Sequence, residues 1–210
     1  LETAKQAAKK FISSLPERFN VALVTFAGTA NVNVPPTVDR GVLTRAIDNL
    51  EMAPSTAIGE AIYTSLDALK QVPPDPDHPD ETAPAAIVLL SDGASNLGRS
   101  SAAAAEQSKE MGVPIYTIAY GTQDGFVESN GERQRVAVDH HELYVIAERS
   151  GGKKFSAESA DQLSEIYQAI SSDVGYEKVP MEITDQYAGL AIIFAILAAV
   201  GVISLGARWP

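Results

Sequence analysis

The sequence predicts an α/β fold: a doubly wound, mostly parallel sheet with helices on both faces, followed by a C-terminal transmembrane helix. Short apolar runs rich in β-branched and aromatic residues alternate with helical patterns, an order typical of βαβ units. These runs have almost no polar face, as expected for strands covered by helices on both sides. A hydrophobic content of 45% with 20% charged residues also favours a globular domain over a disordered chain.

The N-terminal part of the domain is predicted to contain a helix and a β-hairpin. Apolar residues recur at helical spacing over residues 1–15, and Pro16 lies where that helix should end. Residues 20–28 (NVALVTFAG) form a predicted strand. Residues 29–34 alternate small or polar residues with apolar ones and predict the hairpin partner at the sheet edge, which the two following prolines should stop.

Helices and strands alternate through the rest of the domain. The sequence predicts, in chain order, a helix capped by Asp39 that runs to Leu50, a helix at 58–71, a strand at 85–91, a helix at 102–111, a strand at 113–121, a helix at 141–150, a strand at 153–157 and a helix at 161–174. The proline- and aspartate-rich stretch at 73–84 is predicted to be a solvent-exposed loop. Ligands of such folds bind at the carboxyl ends of the parallel strands.

Composition and motifs exclude several classes of function. The formal net charge is −11, and the 16 lysine and arginine residues form no dense run, so no nucleic-acid partner is expected. Without cysteine the chain can form neither a disulfide framework nor a thiolate metal site. It also has no Gly-x-Ser-x-Gly elbow, no Walker A loop and no Gly-x-Gly-x-x-Gly fingerprint. We therefore predict that the protein is not an enzyme.

An uncharged apolar stretch at 188–207 predicts a membrane span, because at about 1.5 Å per residue it covers roughly 30 Å, the thickness of a bilayer core. The alternative is a buried core helix, although core helices seldom run this long without a polar face. Tyr187 and Trp209 bracket the stretch, and Arg208 follows it. Positive-inside reasoning then places the globular domain outside the cytoplasm.

Two polar residues at the predicted ligand edge indicate a metal site. Asp92 follows the strand at 85–91, and Gly93 after it leaves room for backbone and ligand to approach. Thr56 lies just before the helix at 58–71. A carboxylate with a hydroxyl makes a hard-oxygen site, suited to Mg²⁺ with Mn²⁺ or Ca²⁺ as alternatives. Each residue could instead have a purely structural role, Asp92 as a turn residue and Thr56 as the N-cap of its helix.

Other polar residues near these positions are given simpler roles. Ser55 is interpreted as a turn or cap residue rather than a ligand. Ser95 and Asn96 are loop residues that could support the site through water. The adjacent His140 and His141 point about 100° apart on a helix, so we interpret them as an exposed helix start and not as a metal-binding pair.

At these residues the sequence resembles the von Willebrand factor type A (VWA) domain family. The matching features are, in order, VALVTFAG, STAIGEAI, IVLLSDG and GVPIYTIAYG, and the resemblance covers about residues 1–174. It implies a metal-ion-dependent adhesion site (MIDAS) in which Thr56 supplies the threonine and Asp92 the aspartate. The family's Asp-x-Ser-x-Ser loop has no counterpart in this chain, which begins at Leu1 inside a helical pattern. We therefore expect an N-terminally truncated fragment that lacks the first strand.

A closer similarity is to the bacterial membrane-anchored members of the family, the BatA-like or aerotolerance-type proteins. The insertion at 121–143 resembles a hairpin of those proteins. The resemblance implies a protein partner that offers an Asp or Glu carboxylate to the metal, and other membrane proteins of a MoxR-associated system. The predicted organisation is a domain at 1–175, a juxtamembrane linker at 176–187 and a membrane segment at 188–207 that anchors the protein in the cell membrane.

Two other functions remain open from the sequence. IVLLSD also resembles the apolar run and aspartate of a nucleotide-hydrolase strand, so a hydrolase or nucleotide-linked enzyme with its catalytic loop outside the chain is one alternative. A structural membrane protein with a degenerate metal site is the other. A phospho-receiver domain is disfavoured, because no acidic pair precedes Asp92 in a suitable place.

Overall fold

The structure, a computed structural model, describes residues 2–72, 84–91, 95–120, 126–129, 132–135 and 140–175. The helices in these ranges are α1 (Glu2–Ser14), α2 (Arg40–Asp48), α3 (Ile58–Leu69), α4 (Ser101–Glu110), α5 (His140–Ser150) and α6 (Ala160–Gly175). The strands are β1 (Val21–Phe26), β2 (Ala30–Thr37), β3 (Ile87–Ser91), β4 (Ile115–Tyr120), β5 (Phe126–Ser129), β6 (Glu132–Arg135) and β7 (Lys154–Ala157). The predicted α/β fold is confirmed.

Three strands form the parallel sheet that the sequence predicts. β4 lies between β3 and β7, and both pairings are parallel. β1 and β2 form an antiparallel hairpin, and β5 pairs with β6 as the hairpin expected within 121–143. Within the described chain β1 is not hydrogen-bonded to β3, so the single predicted sheet is divided here between the β1–β2 hairpin and the parallel strands.

The second strand of the hairpin ends later than predicted. Pro35 and Pro36 do not stop it, because β2 includes both prolines. The pairing of β1 with β2 shifts register between Val21 and Leu23, opposite these prolines. A strand tolerates proline at such an irregularity, since the ladder there requires no hydrogen bond from the missing N–H group. The prediction was wrong because it considered the two prolines without the strand β1 that pairs with β2.

Both faces of the parallel sheet are covered, because alternate side chains of β3 point to opposite sides. Ile87 and Leu89 pack in one apolar cluster with residues of α3, α4 and α5. Val88 and Leu90 pack on the opposite cluster, with residues of α1 and α6. β4 is buried along almost its whole length. Helices that close both faces leave the ends of the strands as the part of the sheet open to a ligand.

Helices α3 and α1 connect the hairpin to the parallel sheet. Phe26 of β1 and Leu89 of β3 belong to one apolar cluster with Ile62 of α3. On the other face, Phe11 of α1 packs in two clusters that together include residues of both sheets. Its ring also stacks on Tyr167 of α6, with 4.6 Å between the ring centroids. The positions of β1 and β3 therefore depend on the same two helices.

Among the described residues, no helix combines the length and the apolar character needed to cross a membrane. The predicted linker at 176–187 and membrane segment at 188–207 lie outside those residues. Residues 73–83 of the predicted solvent-exposed loop also lie outside them. The transmembrane anchor therefore stays a prediction.

The predicted N-cap of α2 is confirmed and can be tested. Asp39 Oδ1 accepts from the Gly41 amide at 2.8 Å and from the Val42 amide at 3.1 Å. Asp39→Ala should lower the free energy of unfolding by about 1 kcal/mol, because both amides lose their acceptor. For a domain of this size the melting temperature should fall by about 2–4 °C. Asp39→Asn keeps an acceptor and should stay near wild type in thermal and urea melts; equal losses in the two variants would contradict the capping role.

Candidate metal site at the sheet edge

β3 leads the chain to the carboxyl edge of the parallel sheet, where the sequence predicts the metal site. Ser91 is the last residue of β3, is buried, and lies opposite Ala119 of β4. Asp92 and Gly93 follow it directly but lie outside the described residues. The role of Asp92 as a ligand therefore stays a prediction. The described chain resumes at Ser95.

Thr56, the other predicted ligand, is hydrogen-bonded to the segment that follows Asp92. Its amide donates to Asn96 Oδ1 at 2.9 Å. Its carbonyl accepts from the Asn96 amide at 2.8 Å and from the Leu97 amide at 3.3 Å. The Thr56 side chain is half-buried, and its hydroxyl forms no hydrogen bond with the described part of the chain. Backbone groups thus hold Thr56, and its side-chain oxygen is not used by these residues.

Thr56 is not the N-cap of α3, the purely structural role that the sequence also allowed for this residue. Ala57 occupies the N-cap position and makes no side-chain cap bond. The Ile58 amide instead donates to Ser95 Oγ at 3.2 Å. The loop after β3 therefore caps α3 from outside the helix. Ser95 and Asn96 contact the Thr56 segment directly, and their support of the site through water stays a prediction.

Ser55 turns the chain immediately before Thr56. Its φ of 74° lies in the left-handed region, which is uncommon for residues with a Cβ atom. The residue is exposed. This geometry agrees with its interpretation as a turn residue, and such strained positions persist only where the surroundings over-determine them.

The first turn of α3 approaches the loop after β3 at backbone contact. A Cβ atom on Gly59 would lie 2.0 Å from the carbonyl oxygen of Arg99, so this position requires glycine. Gly98 has a φ of 84°, and a Cβ atom there would lie 2.8 Å from Glu60 Cγ. The two glycines let the loop lie directly against α3.

An ion pair closes this contact on the solvent side. Arg99 donates from Nε to Glu60 Oε1 at 2.9 Å and from Nη2 to Glu60 Oε2 at 2.7 Å. Its guanidinium carbon also lies 3.8 Å from the ring centroid of Tyr63. Hydrogen bonds from Arg99 lower the pKa of the Glu60 carboxyl, and the same carboxylate raises the pKa of the Arg99 guanidinium. Because the pair is solvent-exposed, it orients the loop more than it stabilises the fold.

Glu142, in the first turn of α5, joins the same loop to a third element. Its Oε2 accepts from the Ser95 amide at 2.8 Å, and its Oε1 accepts from the Ser101 hydroxyl at 2.6 Å. Residues 95–101 and Glu142 line an open polar cleft of about 250 Å³. The sequence gives no signal for this role of Glu142, because an acidic residue in the first turn is common in any helix and does not indicate a contact.

The two histidines are less alike than the sequence suggested. α5 begins at His140, and His141 is exposed as expected. The Nε2 atom of His140, by contrast, is buried and has no hydrogen-bond partner among the described residues. Within the described ranges, no group of three or more His, Asp or Glu side chains is placed to hold a metal ion. Asp92, the predicted carboxylate ligand, lies outside these ranges.

A family model of the von Willebrand factor type A domain matches residues 1–169 of the chain. The UPF0353 protein of Mycolicibacterium vanbaalenii is 38% identical over 216 residues, a match that covers 100% of this chain and 64% of that relative. The chain thus spans less than two thirds of the length of this curated relative.

Solved structures share the fold. An aerotolerance-related membrane protein from Bacteroides fragilis has a TM-score of 0.68 at 22% identity, over 83% of this chain and 87% of that one. Proximal thread matrix protein 1 from the mussel byssus, with a zinc-occupied MIDAS motif, has a TM-score of 0.59 at 22% identity, over 81% of this chain and 39% of that one. At these identities the similarity concerns the fold alone.

The contact at Gly59 can be tested by adding one methyl group. In an ordinary helix interior, replacing glycine by alanine stabilises by roughly 1 kcal/mol. Gly59→Ala should instead lower the free energy of unfolding by about 1–3 kcal/mol, because the backbone of Arg99 would have to move. Gly41→Ala is the matched control, since a Cβ atom there meets only side-chain atoms of Asp39 and Arg45. If urea melts found Gly59→Ala at least as stable as wild type, the close approach of the Arg99 carbonyl to Gly59 would be refuted.

Acid stability should depend on Glu60. Its pKa is lowered in the folded state from the ordinary value of 4.5, so the unfolded state binds more protons as the pH falls below that value. The resulting stabilisation is present above pH 4.5 and is lost as the pH falls through the folded-state pKa. Urea melts of Glu60→Gln at low salt should therefore show a shallower decline with falling pH than wild type. Glu148→Gln, at an exposed position of α5, should decline as wild type does; a Glu60→Gln profile parallel to wild type would refute the effect.

Proposed function

The chain belongs to the von Willebrand factor type A domain family, and on that basis we propose that it is a membrane-anchored interaction module that binds a divalent cation through Asp92 and Thr56. The cation lies, in this proposal, at the carboxyl edge of the parallel sheet in a MIDAS-type site. The proposed activity is binding and not turnover, in keeping with the general role of VWA domains as interaction modules.

The pairing of Thr56 with Asn96 carries this proposal. Two hydrogen bonds of 2.8 and 2.9 Å join these residues, so the loop before α3 lies against the loop that leads on from Asp92. β3 ends and α3 begins at this edge of the sheet. Thr56 therefore contacts a loop whose first described residue, Ser95, follows Asp92 by three positions, and this supports a site built from both predicted ligands.

The donor atoms favour a hard cation. A carboxylate and a hydroxyl supply oxygen ligands, which suit Mg²⁺ best and also Mn²⁺ or Ca²⁺. The mussel neighbour holds zinc in its MIDAS motif, which supports a divalent cation without selecting Mg²⁺. We propose that an Asp-x-Ser-x-Ser loop of the full-length protein, absent from this sequence, supplies the remaining ligands.

The proposed partner is a protein that offers an Asp or Glu side chain to the cation. An incompletely neutralised hard cation favours an anionic oxygen at its open coordination position. Met52 and Leu97 lie on the two loops beside Thr56 and expose 76% and 51% of their surface. These side chains would add apolar contact around the carboxylate. With a net charge of −11, nucleic acid is not a proposed partner.

We further propose that residues 188–207 anchor the protein in the cell membrane, with the VWA domain outside the cytoplasm. The uncharged apolar stretch is long enough for a bilayer core, and the Bacteroides fragilis neighbour is a membrane protein. Other membrane proteins of a MoxR-associated system are candidate partners in this location.

Calorimetric titration of the full-length protein with Mg²⁺ tests the cation site. Asp92→Ala should abolish binding, because it removes the only carboxylate proposed in this chain. Thr56→Ala should weaken binding by about tenfold or more, as loss of one ligand or its water-mediated contact implies. Ser55→Ala is the matched control, since it removes the neighbouring exposed hydroxyl and should leave the affinity unchanged.

Other outcomes would favour the alternative functions. A wild-type protein that binds no Mg²⁺, Mn²⁺ or Ca²⁺ would indicate a structural membrane protein with a degenerate site. Nucleotide hydrolysis that Asp92→Ala abolishes would indicate an enzyme. Capture of a partner from membranes should be lost on addition of a chelator, and capture that the chelator does not change would contradict a metal-dependent interaction.

A further inference from the structure

We infer that Glu142 is a positioning residue for the proposed cation site: its carboxylate holds the loop that follows Asp92 in place against Thr56. The inference rests on the proposed function. Glu142 lies in the first turn of α5 and is half-buried. α5 supplies none of the ligands that the family resemblance implies, so the role inferred for Glu142 is to position the loop and not to bind the cation.

Both carboxylate oxygens of Glu142 are engaged by one loop. Oε2 accepts from the Ser95 amide at 2.8 Å, and Oε1 accepts from the Ser101 hydroxyl at 2.6 Å. Ser95 is the first described residue after Asp92, and Ser101 is the first residue of α4. The two bonds therefore hold both ends of the 95–101 loop. Bonds to a charged acceptor are shorter and stronger than neutral ones, and the positive end of the α5 dipole favours a carboxylate here.

Ser95 transmits this constraint to the Thr56 segment. Its Oγ accepts from the Ile58 amide at 3.2 Å and lies 3.4 Å from the Thr56 carbonyl oxygen. The next residue, Asn96, makes the reciprocal hydrogen bonds with Thr56. Glu142 is thus connected to the proposed threonine ligand through a single intermediate residue.

The contact with Glu142 also fixes a described position three residues after Asp92. Ser91 is held in the sheet by its pairing with Ala119, and Ser95 is held by Glu142. Only residues 92–94 lie between these two anchors, and the four peptide units that join them span at most roughly 14 Å. A displacement of Ser95 is therefore expected to weaken Mg²⁺ binding.

The test is titration of the full-length protein with Mg²⁺ by calorimetry, at a temperature where each variant is folded. Glu142→Ala should weaken Mg²⁺ affinity about 10- to 100-fold, the effect typical of residues that orient metal ligands. Glu142→Gln should retain most of the affinity, because its amide can accept from the Ser95 amide and donate to the Ser101 hydroxyl. Glu148→Ala removes the same charge from an exposed position of the same helix and should leave the affinity unchanged.

A merely structural role gives a different pattern. It predicts a lower melting temperature for Glu142→Ala with an unchanged Mg²⁺ affinity of the folded protein, and that result overturns the inference. If Glu142→Gln or Glu148→Ala weakens Mg²⁺ affinity as much as Glu142→Ala does, the effect is due to the lost charge. That result also overturns the inference. If Glu142→Ala does not fold, Ser101→Ala decides, since it removes the hydrogen bond to Glu142 Oε1: several-fold weaker binding supports the inference, and unchanged binding overturns it.

Failure of the proposed function gives a separate result. A wild-type protein that binds no Mg²⁺, or an Asp92→Ala variant that binds as tightly as wild type, overturns the proposed function and this inference with it. A wild-type protein that binds Mg²⁺ through Asp92 while Glu142→Ala binds equally well overturns the inference alone.

Discussion

The hydrogen bonds that join Thr56 to Asn96 are the interaction on which the proposed site depends. They connect residues 40 positions apart in the chain and use the amide and carbonyl of Thr56, not its hydroxyl. Satisfying the backbone groups in this way fixes the residue and leaves its side chain for a ligand. Because Ser95 also caps α3 through the Ile58 amide, the start of that helix and the loop after β3 are held together.

Close packing makes this contact possible and determines which residues it requires. Gly59 allows the carbonyl oxygen of Arg99 to approach α3, and the pair of Arg99 with Glu60 closes the contact on the solvent side. The apolar clusters on the two faces of the sheet set the directions of β3 and α3. Since interiors pack at crystal-like density, those directions leave little freedom for where the two elements meet. The stability of the domain and the geometry of the proposed site therefore depend on the same contacts.

The sequence predicted the elements whose signals are local. The apolar runs of β3 and β4 and the helical spacing of α3 involve only neighbouring residues, and Asp39 caps α2 as expected. Prediction failed where a distant partner decides the outcome. β2 continues through Pro35 and Pro36 because the register of its pairing with β1 shifts there. The sequence offered Thr56 as a possible helix cap, but Ala57 occupies the N-cap position and Ser95 provides the side chain that caps α3.

The sequence by itself determined the order of helices and strands, the resemblance to the VWA family, and the choice of Thr56 and Asp92 as candidate ligands, because residue type and spacing carry these signals. Only the tertiary structure decided that Thr56 meets the loop after β3 and that Glu142 joins the same loop. The bonds that make these connections link residues 40 and 47 positions apart. No local pattern specifies such a pairing. It results from packing helices on a parallel sheet, which brings the ends of strands and the starts of helices to one edge.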